Sequence, residues 1–121
     1  MVKTVRVTTD NEVSILELPN WSIREQEKAI GADLTECVRT KRIFEFFGDG
    51  VVMIVDESGL IKNRPDNLIA SFLYGADTHH SPIAGDVIFG IRKREDVYPL
   101  DNPERIERVL KSLLARGVGD K

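Results

Sequence analysis

Valine, threonine and isoleucine alternate with polar residues at the start of the chain, at the period of a strand. Residues 3–9 place Val5 and Val7 on one face, and residues 12–18 repeat the pattern. Thr8-Thr9-Asp10-Asn11 between them is rich in turn formers, so the two runs predict an N-terminal hairpin. Pro19 stops the second strand. Ser22 and Glu25 then stand at capping-box spacing, where each side chain can bond the other's backbone N–H. They predict a short helix over about residues 22–30, with Ile23, Ala29 and Ile30 turned inward and Gly31 as its C-cap.

Residues 34–39 read as a further strand. Residues 43–47 and 51–56 flank Gly48-Asp49-Gly50 and predict a central hairpin, with Phe44, Phe46 and Phe47 facing the apolar run from Val51 to Val55. A strand that is apolar on both faces is covered on both faces. Asp56-Glu57-Ser58-Gly59 is another turn. Pro65, Asp66 and Asn67 can open a short helix through Tyr74, with Ile69, Phe72 and Leu73 at helical spacing. Residues 75–82 form a polar loop, Gly85 precedes a strand over residues 86–91, and residues 92–100 read as a charged connector.

The C-terminal helix, about residues 103–116, has the cleanest signal. Asn102 can cap it, Pro103 takes its first position, and Glu104 complements the positive N-terminus. Ile106, Val109, Leu110, Leu113 and Leu114 form one apolar stripe, and Gly117 ends it. The fold expected is a single α+β domain over residues 1–121. It has a mainly antiparallel sheet of five or six strands, two short helices and this amphipathic helix.

Composition narrows the function classes. Seventeen Lys+Arg against twenty Asp+Glu leave a net charge of -3, which argues against a binder of bulk duplex DNA. The charges are evenly mixed: residues 1–50 carry seven basic and nine acidic side chains, and residues 51–121 carry ten and eleven. The longest apolar run, Val51–Val55, is far short of the ~20 residues of a membrane span. Met1-Val2-Lys3-Thr4 lacks the apolar core of a signal peptide, and Cys37 has no internal partner. A cytoplasmic, membrane-free setting is the expectation.

Candidate chemistry is sparse. Asp77, His79 and His80 are weak metal candidates, with Asp86 as a further ligand, because imidazole and carboxylate bind zinc. A solvated loop is the competing reading, and no cofactor is expected. Cys37, between Leu34 and Val38, reads as a buried structural cysteine rather than a nucleophile. The paired carboxylates of Asp56-Glu57 read as part of a turn. Basic residues recur at loop ends: Arg39, Lys41 and Arg42; Lys62 and Arg64; Arg92, Lys93 and Arg94. If the fold gathers them they can cradle phosphates; otherwise they are solvated faces. Phosphate-loop, dinucleotide, nucleophile-elbow and zincin motifs are absent from the sequence.

One ordered set of motifs goes further. Gly31-Ala32-Asp33-Leu34-Thr35 is followed by residues 52–67, which contain Asp56-Glu57-Ser58-Gly59-Leu60 and Pro65-Asp66-Asn67, then by Ala70 and Ile83-Ala84-Gly85-Asp86-Val87. Over about residues 5–91 this resembles a domain-of-unknown-function family of bacteriophages, plasmids and actinobacterial mobile elements. The chain departs from the family at Ala32-Asp33-Leu34, where the family tends to have Gly-Tyr-Ile. The resemblance implies a small accessory protein and no particular reaction.

Together these readings point to a non-enzymatic protein that binds a host macromolecule, with a host protein as partner and a defence component as one target. The alternative is capture of a small nucleotide, with Arg42, Arg64 and Arg92 on phosphates and Phe44 or Tyr74 stacked on a base. Assembly into homo-oligomers is compatible with both.

Overall fold

The structure, a computed structural model, describes residues 1–76 and 81–118. Its most buried strand is β4 (Val51–Asp56), covered at every position. The hydrophobic pattern demands this, because both faces of that strand are apolar. Around it run β1 (Val2–Val7), β2 (Val13–Leu18), β3 (Thr35–Val38), β5 (Val87–Lys93) and β6 (Asp96–Tyr98), in the order β2-β1-β5-β4-β3 with β6 also on β5. All of these pairings are antiparallel.

β1 and β2 form the expected hairpin, in register from Val2↔Leu18 to Val7↔Val13. β1 pairs with β5 only at Arg6↔Ile88 and Val7↔Val87. Beyond that point the buried Thr4 hydroxyl replaces the ladder: it donates to the Phe89 carbonyl at 2.6 Å and accepts the Phe89 N–H at 3.3 Å. β6 takes up the rest of the same edge of β5.

Four helices are present among the described residues: α1 (Ile23–Ile30), α2 (Lys41–Phe47), α3 (Leu68–Tyr74) and α4 (Pro103–Ala115). One sheet face, with Val5, Val7, Met53, Val55 and Phe89, packs against α2, α3 and α4 through Phe47, Leu73, Ile106 and Leu110. The opposite face buries Ile54 and Ile88 against Ala29 and Ile30 of α1. The Phe47 and Phe89 rings meet at 5.6 Å between centroids, and burial of a phenylalanine of this kind contributes about 2 kcal/mol. No helix among the described residues is long and apolar enough to cross a membrane.

The helix caps follow the sequence. Ser22 accepts the Glu25 N–H, Asn67 that of Ala70 and Asn102 that of Arg105, while Gly31 and Gly75 take the left-handed conformation that closes α1 and α3. Four expectations are corrected. Residues 43–47 form helix α2, not a hairpin strand, because the Thr40 hydroxyl caps the Ile43 N–H and also donates to the Leu73 carbonyl. Helical spacing then buries Ile43 and Phe47, leaves Phe46 half-buried and turns Phe44 outward, 56% exposed. Within the expected connector 92–100, β5 runs on to Lys93 and turns at Arg94 (φ 60°) into β6. Ile23 points outward at 61% exposure, and Gln26 is buried instead, its amide donating to the Trp21 carbonyl. Cys37 is exposed on the edge strand β3, which has a partner on one side only.

Candidate functional site

The sheet has two ends of opposite character. At the end where β4 closes, the Asp56 carboxylate is fully buried. It accepts hydrogen bonds from the Ser58 N–H at 2.9 Å, Lys62 Nζ at 3.2 Å and Arg64 Nη1 at 3.1 Å. Burial by itself would raise the Asp56 pKa, but these three donors outweigh it and hold the carboxyl below the usual range. Arg64 Nη1 also donates to the Ile30 and Gly31 carbonyls, both at 2.9 Å. Its guanidinium lies between Gly31 and Gly85, where a Cβ at either position would come within about 3.3 Å of it. Arg6 Nη1 donates to the neighbouring Ala29 carbonyl. Two arginines thus satisfy the carbonyls at the C-terminus of α1, where the helix dipole favours cations. Lys62 bridges Asp56 to Asp33, each at 3.2 Å.

Arg64 is therefore committed to holding α1 against β4, and the phosphate role expected of it does not fit. Arg42 is engaged too: its guanidinium lies 4.4 Å from the Phe72 ring centroid and donates to the Phe72 carbonyl at 2.6 Å, joining α2 to α3. Tyr74 lines a different cavity of about 150 Å³, with Glu36, Glu57 and Leu60. The five expected ligand residues Arg42, Arg64, Arg92, Phe44 and Tyr74 do not converge on one site.

Asp77, His79 and His80 lie outside the described residues. Asp86, the further ligand considered with them, accepts the Thr9 N–H at 3.1 Å and so steadies the β1–β2 turn. Among the described residues no group of three His, Cys, Asp or Glu could hold a metal ion. Cys37 has its pKa pushed up by the packing around it, with Arg92 offsetting part of the rise.

The other end of the sheet gathers basic residues. Arg39 follows β3, Gly50 leads into β4, and Arg92 and Lys93 finish β5. Antiparallel order sets those three ends side by side, and the Arg92 N–H donates to the Gly50 carbonyl at 2.7 Å. Arg94 sits in the turn beyond. Two of the three basic runs therefore meet, and Lys62 and Arg64 lie at the opposite end. Arg39, Thr40, Lys41, Phe44, Gly48, Gly50 and Val51 line an open cavity of about 290 Å³. Among the described residues, Arg39, Lys41, Arg92, Lys93 and Arg94 have no carboxylate within ion-pair distance. Lys93 packs over the Tyr98 ring, and Arg92 Nε donates to the Arg94 carbonyl. Asp49 and Glu95 are the acids in the adjoining turns.

No family model, curated protein or solved structure matches the chain.

Chemically, this end offers exposed cations around a concave surface with one aromatic wall, an arrangement suited to holding an anion. Arg39 and Lys41 were noted in the sequence as loop-end cations, but reading residues 43–47 as a strand hid their relation to Phe44. Helical spacing is the signal that reveals it: Lys41 and Phe44 are i and i+3 and share a face of α2.

Proposed function

We propose that this chain is a non-enzymatic accessory binding protein of the phage or mobile-element type. In this reading it works in the cytoplasm and occupies a host macromolecule through the basic end of its sheet. The observation that carries the reading is the gathering of Arg39, Lys41, Arg92, Lys93 and Arg94 around three adjacent strand ends, without carboxylate partners among the described residues. Cations that serve stability in this molecule are paired or capped, as Lys62, Arg64 and Arg42 are. At the basic end Lys93 rests on the Tyr98 ring and Arg92 on the Arg94 carbonyl, while Arg39, Lys41 and the Arg94 guanidinium are left for a partner. A local positive surface on a chain of net charge -3 favours a confined contact over tracking along duplex DNA. The resemblance of residues 5–91 to a family of phages, plasmids and mobile elements supplies the biological setting.

Affinity capture from a bacterial lysate tests the proposal. The wild-type chain should enrich a partner that salt releases, and the double charge reversal Arg39→Glu/Lys41→Glu should lose it. Absence of any enriched partner, or capture indifferent to the reversal, overturns it.

A further inference from the structure

We propose that the cavity bounded by Arg39, Lys41 and Phe44 takes a single nucleotide, with its phosphate on the two cations and its base on the Phe44 ring. This rests on the basic end being the binding surface and names the ligand chemistry that end selects.

Phe44 decides the class of ligand. Phe44 is 56% exposed on α2, whereas Phe46 and Phe72 are half-buried and Phe47 is buried. Phe46 pairs with Phe72, Phe47 with Phe89, and Tyr98 carries Lys93 on its ring. Phe44 has no ring or cation partner among the described residues. Its ring forms a wall of the same cavity that Arg39 and Lys41 line. Anions in general are attracted by the two cations, and the guanidinium fork suits a phosphate in particular. A flat ring attached to that phosphate is what an unpaired aromatic wall adds. Lys41 and Phe44 lie one helical turn apart, which places cation and ring at neighbouring points of one wall.

Size and charge limit the ligand further. An open cavity of about 290 Å³, just under the ~300–1,000 Å³ range of ligand sites, has room for about one nucleotide. Asp49, exposed in the Gly48–Gly50 turn whose glycines line the cavity, repels surplus negative charge and favours one phosphate over a polyphosphate. The same chemistry is offered by a free nucleotide and by one residue of a single strand.

Isothermal titration with AMP, ribose 5-phosphate, inorganic phosphate and a ten-residue oligothymidylate separates these cases. AMP or the oligonucleotide should bind at least tenfold more tightly than ribose 5-phosphate. Phe44→Ala, at an exposed position, should lower that affinity about tenfold while leaving the melting temperature in place. Arg39→Gln/Lys41→Gln should remove binding of every phosphate, and Asp49→Asn should tighten it. An oligonucleotide that binds more than tenfold better than AMP identifies a single strand as the source, and equal binding identifies the free nucleotide. Equal binding of all four probes, unchanged in Phe44→Ala, overturns the nucleotide site but leaves the basic end as an anionic docking surface. No binding of any probe at millimolar concentration also overturns the site. In that case, loss of lysate capture in Arg39→Glu/Lys41→Glu keeps the broader proposal standing, and unchanged capture removes both.

Discussion

Arg64 serves acceptors from two separate parts of the chain: the Ile30 and Gly31 carbonyls at the end of α1, and the Asp56 carboxylate at the end of β4. A buried carboxylate needs such donors, and removing its charge strands the cations drawn to it. Asp56→Asn should therefore destabilise the fold by about 2 kcal/mol in urea denaturation at neutral pH. The pH dependence follows from the direction of the shift. The Asp56 pKa is lower in the folded chain than its ordinary 3.8, so the unfolded chain takes up the proton first. Its contribution is complete above that ordinary value and is lost as pH falls through the folded one. Acid denaturation of the wild type should thus steepen below about pH 4, and Asp56→Asn should flatten that limb. An equal acid slope in both proteins would show that Asp56 is not the group responsible. None of this was legible as a network in the sequence. Asp56 was readable as a turn former, but Lys62 and Arg64 are folded back onto it by the turns of residues 57–64, and Arg64 meets the Ile30 and Gly31 carbonyls only through the packing of α1 on the sheet.

At the scale of elements, much was legible where local signals agreed. The α1, α3 and α4 caps sit on Ser22, Asn67 and Asn102, as side-chain chemistry at those positions demands. The β1–β2 hairpin follows from two β-branched, apolar runs on either side of a polar turn. The α2 segment, Lys41–Phe47, is where signals conflict. Ile43, Phe44, Phe46 and Phe47 favour a strand by propensity, and Gly48-Asp49-Gly50 resembles a hairpin turn. Packing decides the matter: Thr40 ties the helix start to α3, Arg42 lies on Phe72, and Arg105 donates to the Phe47 carbonyl at 2.7 Å to cap the other end. Non-local contacts of this kind leave no mark in a seven-residue window. Thr40→Ala removes both the cap and the bond to Leu73, so it should cost about 1–2 kcal/mol. Thermal unfolding measures this; a change below the error of the method would mean that Thr40 does not hold α2 in place. β6 was missed for a related reason. Its three residues, Asp96-Val97-Tyr98, follow the charged run Arg92–Glu95, and its pairing depends on Arg94 adopting a positive φ.

For the whole molecule, the two ends of the sheet divide the labour. The end at Asp56 spends its cations internally, on a carboxylate and on helix carbonyls. The end at Gly50 presents them outward. Net charge hides this division, because acids and bases alternate evenly along the chain and are sorted only by the strand order. The sequence showed three basic runs but not which would meet. Antiparallel pairing of β3, β4 and β5 joins the run after Val38 to the run at Arg92 and sends the third to the far end. The most direct test of this account is amide chemical-shift mapping of the folded chain during titration with inorganic phosphate at low salt. The account predicts that the perturbed amides cluster at residues 39–51 and 92–94 and that the shifts fade as salt is added. Perturbations centred on Lys62 and Arg64, or scattered over the surface without a focus, would contradict it.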